Sequence, residues 1–329
     1  MAAPHDLVTR EPRGPAAARE ERPPERRLSR WRRLHRDRFL LLLGVPGLII
    51  VVVFQYVPLL GNVIAFKDYQ PYIGILDSPW VGFDNFSVVF NGDPQFLNAL
   101  KNTLIISFVQ IVLVFPVPIA LALLLNSLLS ERLKRTVQSI LYLPHFLSWV
   151  VVVAIFQHMV GNAGLLNSWL RSQDWGTFEI IGNPDLFITL ITSQVIWKDA
   201  GWGTIIFLAA LSRMDIELYE AAAVDGAGRM RQLWHITLPG IRGVIVLLLI
   251  LKLGDVLTVG FEQIILQQRA VGTQASEVLD TYVYTEGIVG GNWGTSAAVG
   301  LVKGLVGLVL VLGANKVAHL FGERGVYSK

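Results

Sequence analysis

The chain contains no cysteine. That excludes a disulfide framework, cysteine-ligated zinc, iron–sulfur clusters and any thiol nucleophile. Charge is scarce as well: Asp, Glu, Lys and Arg make up 16% of the residues, against about 25% in an ordinary soluble domain. No Gly-Lys dipeptide occurs, so the phosphate-cradling loop GxxxxGK[ST] is missing. There is no HExxH pair either, and the six histidines are scattered. Neither a nucleotide-hydrolysing loop nor a helical zinc site is written into this chain.

What is abundant is apolar. Of 329 residues, 53% are Ala, Val, Ile, Leu, Met, Phe, Trp or Tyr, and mean hydropathy is +0.51. A water-soluble protein with so few charges has too little polar surface to cover itself, so the solvent is lipid. A membrane-crossing helix needs roughly 20 mostly apolar residues. Six stretches qualify: 39–60, 103–129, 139–160, 186–211, 243–266 and 297–321. None alternates apolar and polar residues as a barrel strand does. The sequence therefore predicts an all-α, polytopic membrane protein with six transmembrane helices.

Lys and Arg collect on the cytoplasmic side of a membrane protein. With six crossings, 21 of them fall on the side of the N-terminal tail and 4 on the other, while Lys198, Lys252 and Lys303 lie inside spans. Both termini are thus expected in the cytoplasm. Residues 1–38 are rich in Arg, Pro, Glu and Ala without apolar periodicity, the composition of a disordered tail. Its basic residues suit contact with anionic lipid, and no nucleic-acid role is assigned to it. The run after it is longer than a signal-peptide core and lacks an A-x-A-like site, so it reads as an uncleaved anchor. Residues 39–329 are expected to form a single six-helix membrane domain.

The first external link carries Phe66, Tyr69, Tyr72, Trp80, Phe83, Phe86 and Phe90, aromatics suited to the membrane–water boundary and able to pack a small cap. The long link at 212–242 is more specific. Asp215 to Val224 is rich in helix formers with acidic residues in its first turn, Gly226 and Gly228 interrupt it, and a basic, apolar segment runs from Arg229 to Ile236. Pro239 is read as opening the next element. Helix, glycine turn, helix on the cytoplasmic face is the implied shape. Amphipathicity alone allows an interfacial anchor.

The pattern is narrower than amphipathicity. It matches E-A-A-x3-G-x9-I-x-L-P at Glu220, Ala221, Ala222, Gly226, Ile236, Leu238 and Pro239. This resembles the EAA loop of binding-protein-dependent ABC importer permeases. The stretches FKDYQPYIGILDSPWVGFDNF, VIWKDAGWGTIIFLAAL, VGFEQIILQQ, LDTYVYTEGI and AAVGLVKGLVGLVLVLGANK resemble the LplB-type permeases of the carbohydrate-uptake branch. The resemblance implies a type I importer permease in the bacterial cell membrane. It also implies a second permease as heterodimer partner, two ATPase subunits that use ATP and Mg, and an extracytoplasmic solute-binding lipoprotein that delivers a carbohydrate. The chain itself would bind no cofactor or metal. Glu220, Ala221, Ala222, Asp225, Gly226, Ile236, Leu238 and Pro239 would couple it to the ATPase.

Polar groups inside a membrane are costly and face a cavity or another helix. Trp197, Asp199 and Trp202, beside Lys198, on the fourth stretch and Asp255, Glu262 and Gln263 on the fifth are the candidates for a substrate pathway. Asp255 has a second reading, an ion pair with Lys252 one turn away. Gly300, Gly304 and Gly307 form a small-residue stripe assigned to helix packing, and Pro116 and Pro118 should kink the second span. Two other classes remain open from the residues alone: a gradient-driven secondary transporter, which should show an internal repeat, and a non-transporting scaffold.

Overall fold

The computed structural model describes residues 38–320 together with Gly322 and Gly325. All but the last residue of the tail assigned to residues 1–38, and the very end of the last predicted span, lie outside the described residues. Five helices are long and apolar enough to cross a membrane: Leu41–Phe66, Pro94–Asn126, Trp149–Ser172, Arg229–Gly254 and Trp293–Leu320. Counting the bent pair Pro184–Leu211 and Ile216–Val224, whose members meet at 72°, as one span gives six. No strand occurs among the described residues; an isolated bridge joins Lys67 and Trp80. The chain divides into two units, 1–60 and 61–329.

In the first unit, the helix beginning Arg38–Val51 is apolar on all sides and its large side chains stand exposed, as a lipid-facing helix requires. In the second, three buried clusters join the helices. Ile106, Phe187, Ile191, Ile264 and Val278 tie the second and fourth spans to the helix Phe261–Val271. Phe96, Leu257, Leu279, Tyr282 and Val299 tie the start of the second span to the sixth. Ala122, Phe207, Leu211 and Ile241 close the opposite end of the second, fourth and fifth spans.

Three prolines inside spans share one solution. Proline lacks the N–H of a helical hydrogen bond, and its ring collides with the carbonyl four residues back. Two residues ahead of Pro58, Pro116 and Pro239 the helix widens into a π turn, over Val52–Tyr56, Gln110–Val114 and Leu233–Thr237. The amides of Val57, Phe115 and Leu238 then bond the carbonyls five residues back, which makes room for each ring. Pro239 therefore sits within one helix running from Arg229 to Gly254 and does not open a new element. The basic segment from Arg229 to Ile236 is that helix's first turns.

Other boundaries shift too. The second span starts at Pro94, capped by Asp93, whose carboxylate accepts from the Phe96 amide at 2.7 Å. The third long helix begins at Trp149, after a separate amphipathic helix, Glu131–Tyr142, and a short turn, Leu143–Phe146. The fourth span is unbroken from Phe187 to Leu211 in spite of Lys198, Asp199 and two glycines. Its glycines serve close approach: a Cβ on Gly201 would strike the Leu141 carbonyl, and one on Gly203 would lie 2.9 Å from Pro118 Cγ. The fifth span stops at Gly254 rather than Leu266. Residues 255–260 are not helical, and Phe261–Val271 follows as a separate helix entered through Gly260 at φ +88°.

The external aromatics do pack a cap. Phe66 stacks on Trp80 at 5.9 Å and meets Phe83 edge-on, and the Asn85 amide donates to the carbonyls of Ala65 and Lys67.

Candidate functional site

The link after the fourth span forms an elbow. Asp215 caps the helix Ile216–Val224 through a 3.0 Å bond to the Glu217 amide. At its other end Ala227 N–H donates to Ala222 O and Gly226 N–H to Ala223 O, with Gly226 at φ +76°. That is the paired-bond helix stop that places glycine at the left-handed position. A Cβ on Gly226 would meet nothing within 4 Å, so only its backbone angle demands glycine. Glu217, Glu220, Ala221, Ala223 and Asp225 are exposed, and so are three large apolar side chains, Ile216, Leu218 and Val224, the last at 88%.

Tyr219 faces the other way and anchors the elbow. Its hydroxyl lies 3.0 Å from Thr237 Oγ1, and Gln232 Nε2 donates to the Ala227 carbonyl at 3.2 Å. Ile236 is half-buried, Pro239 exposed, and neither belongs to the elbow helix. Both lie on the fifth span, so the motif joins an exposed helix to the helix it would move. Tyr219, Gln232 and Thr237 escaped the sequence reading because side-chain direction on so short a helix is set only by packing.

A second polar group lies among the spans. Asp199 Oδ1 is 2.9 Å from His145 Nδ1, and the His145 ring stacks on Trp202 at 4.6 Å and 6°. Lys198 is buried, donates to the His145 carbonyl at 2.7 Å and lies over the Trp149 ring. Lys252 donates to Gln110 Oε1 at 3.3 Å. No ion pair joins Lys252 to Asp255 among the described residues, and the Asp255 side chain stays exposed. The fold thus brings Asp199 and Trp202 together through His145, which carries no motif of its own.

The remaining candidates separate from that group. Trp197 packs edge-on against Phe156 at 5.9 Å. Glu262 is exposed on the helix after the fifth span. Gln263 is fully buried, with its amide donating to Ile191 O at 2.9 Å and Gln194 Oε1 at 2.7 Å. Gln194 also bonds Gln267 at 3.0 Å, so these glutamines pin the post-span helix to the fourth span. Gln263 Oε1 has no hydrogen-bond partner among the described residues, but a side chain with no exposure does not line a path. The glycine stripe also divides. Gly307 packs, since a Cβ there would come within 2.7 Å of Gly254 O, whereas Gly300 and Gly304 have open space and line a cavity of about 690 Å³. The packing role holds within this chain for Gly307 alone.

Residues 114–321 match the family described as binding-protein-dependent transport system inner membrane component. The chain belongs to that family. This permease is 48% identical over 296 residues, covering 90% of it and 92% of the relative, to the polygalacturonan/rhamnogalacturonan transport system permease protein YteP of Bacillus subtilis (strain 168). It is 45% identical to protein LplB of the same organism, over 89% of this chain and 92% of that one. Among solved structures, a chain of a bacterial ABC transporter that imports the acidic polysaccharide alginate superposes with a TM-score of 0.80 at 36% identity, over 88% of this chain and 98% of that one. A chain of the alginate transporter bound to its alginate pentasaccharide-loaded periplasmic protein gives 0.81 at 36% identity, over 90% of this chain and 99% of that one. The expected type I importer architecture is the one observed, and the protein is a multi-pass membrane permease.

Proposed function

We propose that this permease is one half of a heterodimeric importer for oligosaccharide fragments, driven by two separate ATPase subunits and supplied by an extracytoplasmic binding protein. The observation that carries this reading is the elbow: an exposed helix set at 72° to the fourth span and tied to the fifth by the Tyr219 hydroxyl and by the Gln232 amide. Glu220 and Asp225 offer charge, Ala221 and Ala222 allow close seating, and Ile216 and Val224 supply apolar area to a groove in the motor subunit. ATP and Mg belong to that subunit. Its closure pushes the elbow, and the linked spans rock between two arrangements. Ile236, Leu238 and Pro239 act from the fifth span, where the π turn transmits the push.

Sugar contact falls to Asp199, Trp202 and Asp255, with His145 and Lys252 fixing the charge around them. A carboxylate accepts sugar hydroxyls and an indole face stacks on the ring. Oligosaccharide cargo is supported by the relatives, one named for polygalacturonan and rhamnogalacturonan and one for alginate. The excess of Lys and Arg on one side supports a cytoplasmic position for both termini.

The test is reconstitution with the partner permease, the ATPase and the binding protein in liposomes, using rhamnogalacturonan fragments. Gly226→Val strains the left-handed position by about 1–2 kcal/mol and reshapes the elbow. Uptake should fall at least about tenfold while ATP hydrolysis persists, the mark of lost coupling. Uptake at the wild-type rate would overturn the assignment. Asp255→Ala should raise the KM for uptake, and an unchanged KM removes Asp255 from the sugar path.

A further inference from the structure

A trough runs beside the sixth span and takes in Asp255 of the group above. Its larger part, about 690 Å³, is lined by Asp255, Thr258, Lys303 and the open glycines Gly300 and Gly304. A second part, about 480 Å³, is lined by Phe261, Tyr284, Trp293 and Ser296. Asp280, Val283 and Gly300 line both, so the two parts share that wall.

Where they join, polar groups are left over. One oxygen of Asp280 pairs with the Lys303 ammonium, while the other, Oδ2, is buried without a hydrogen-bond partner among the described residues. Ser296 is 6% exposed, and its hydroxyl is likewise unpartnered. A bare Cβ on Gly287 would press on that hydroxyl at 2.8 Å, so the backbone there is shaped around it. Unpaired buried polar atoms are costly, and each calls for something that completes it. Tyr284 and Phe261, 5.4 Å apart, and Trp293 add apolar ring faces along the same walls. Buried acceptors, an ammonium and aromatic faces in one trough are the chemistry of a polyol site.

A hydroxyl satisfies this set. It donates to Asp280 Oδ2 and accepts from Lys303 or Ser296. A carboxylate at the same place brings no proton and meets the charge of Asp280. We propose that Asp280, Ser296 and Lys303 form a hydroxyl-reading subsite for a non-acidic unit of the glycan chain, a determinant of cargo specificity in a water-filled branch of the path. This rests on the importer reading above.

Two experiments on the reconstituted transporter decide it. Ser296→Ala removes an unpartnered hydroxyl at constant fold. The subsite requires the KM for rhamnogalacturonan fragments to rise about three- to tenfold with no loss of melting temperature. A purely structural serine gives an unchanged KM, which overturns the proposal. Because the chain has no cysteine, Gly304→Cys introduces its sole thiol. A membrane-impermeant methanethiosulfonate should label G304C, detected on this chain by mass spectrometry, but spare the exposed apolar position in L305C. An unreactive G304C overturns the water-filled branch. If the unmodified transporter takes up no fragments, the cargo reading fails instead, and the thiol result still decides the branch.

Discussion

Burial pushes the Glu277 carboxyl above the ordinary glutamate range; the bond from Gln95 Nε2 pulls it down in part, and the nearby charges of Glu286 and Asp93 raise it further. A raised acid favours the fold while protonated, so its contribution is complete below the unfolded pKa, about 4.3. That contribution is lost as pH rises through the folded value. Glu277→Gln keeps an oxygen for Gln95 and cannot ionise. Its melting temperature should match the wild type near pH 4 and exceed it increasingly toward pH 8, as thermal denaturation in detergent will report. Tyr219 is a different case. Tyr219→Phe deletes the hydroxyl that reaches Thr237 and should cost about 1 kcal/mol. Hydrogen exchange across 216–224 is then faster, whereas exchange equal to wild type would show the elbow to be held by other contacts.

Among the elements, the fourth span shows what composition conceals. Two glycines and two charges in its middle read as an interruption, yet the helix is continuous because each has a use that depends on its neighbours. Gly201 lets the end of the helix Glu131–Tyr142 approach, Gly203 admits Pro118, and Lys198 is held by a carbonyl and a ring. Gly201→Ala should therefore lower stability by about 1–3 kcal/mol, seen as a lower melting temperature, although alanine is the better helix former. The fifth span errs in the opposite sense. Its apolar run continues past Gly254, but the helix ends there, and Leu257 and Val259 turn into the buried clusters. Hydropathy counts residues without seeing which neighbour they meet, so it misplaced that end and, with it, Glu262 and Gln263.

For the molecule as a whole, the uneven distribution of Lys and Arg makes a topological prediction. Reporter fusions active only in the cytoplasm should work at both the N- and C-terminus and fail when inserted near residue 175. One active terminus with one silent would mean an odd number of crossings. The helical class, the membrane solvent, the existence of the spans and the elbow motif were all legible in the residues. Each depends on composition or on a short contiguous pattern, and lipid enforces helices wherever apolar runs are long enough. Which polar side chains meet was not legible. His145 lies 54 positions from Asp199, Gln263 lies 69 from Gln194, and Lys303 lies 23 from Asp280. Those partnerships arise when helices distant along the chain pack together. The same packing turned one predicted pathway residue, Gln263, into a buried tie, and opened the space beside two glycines that had looked like a packing seam.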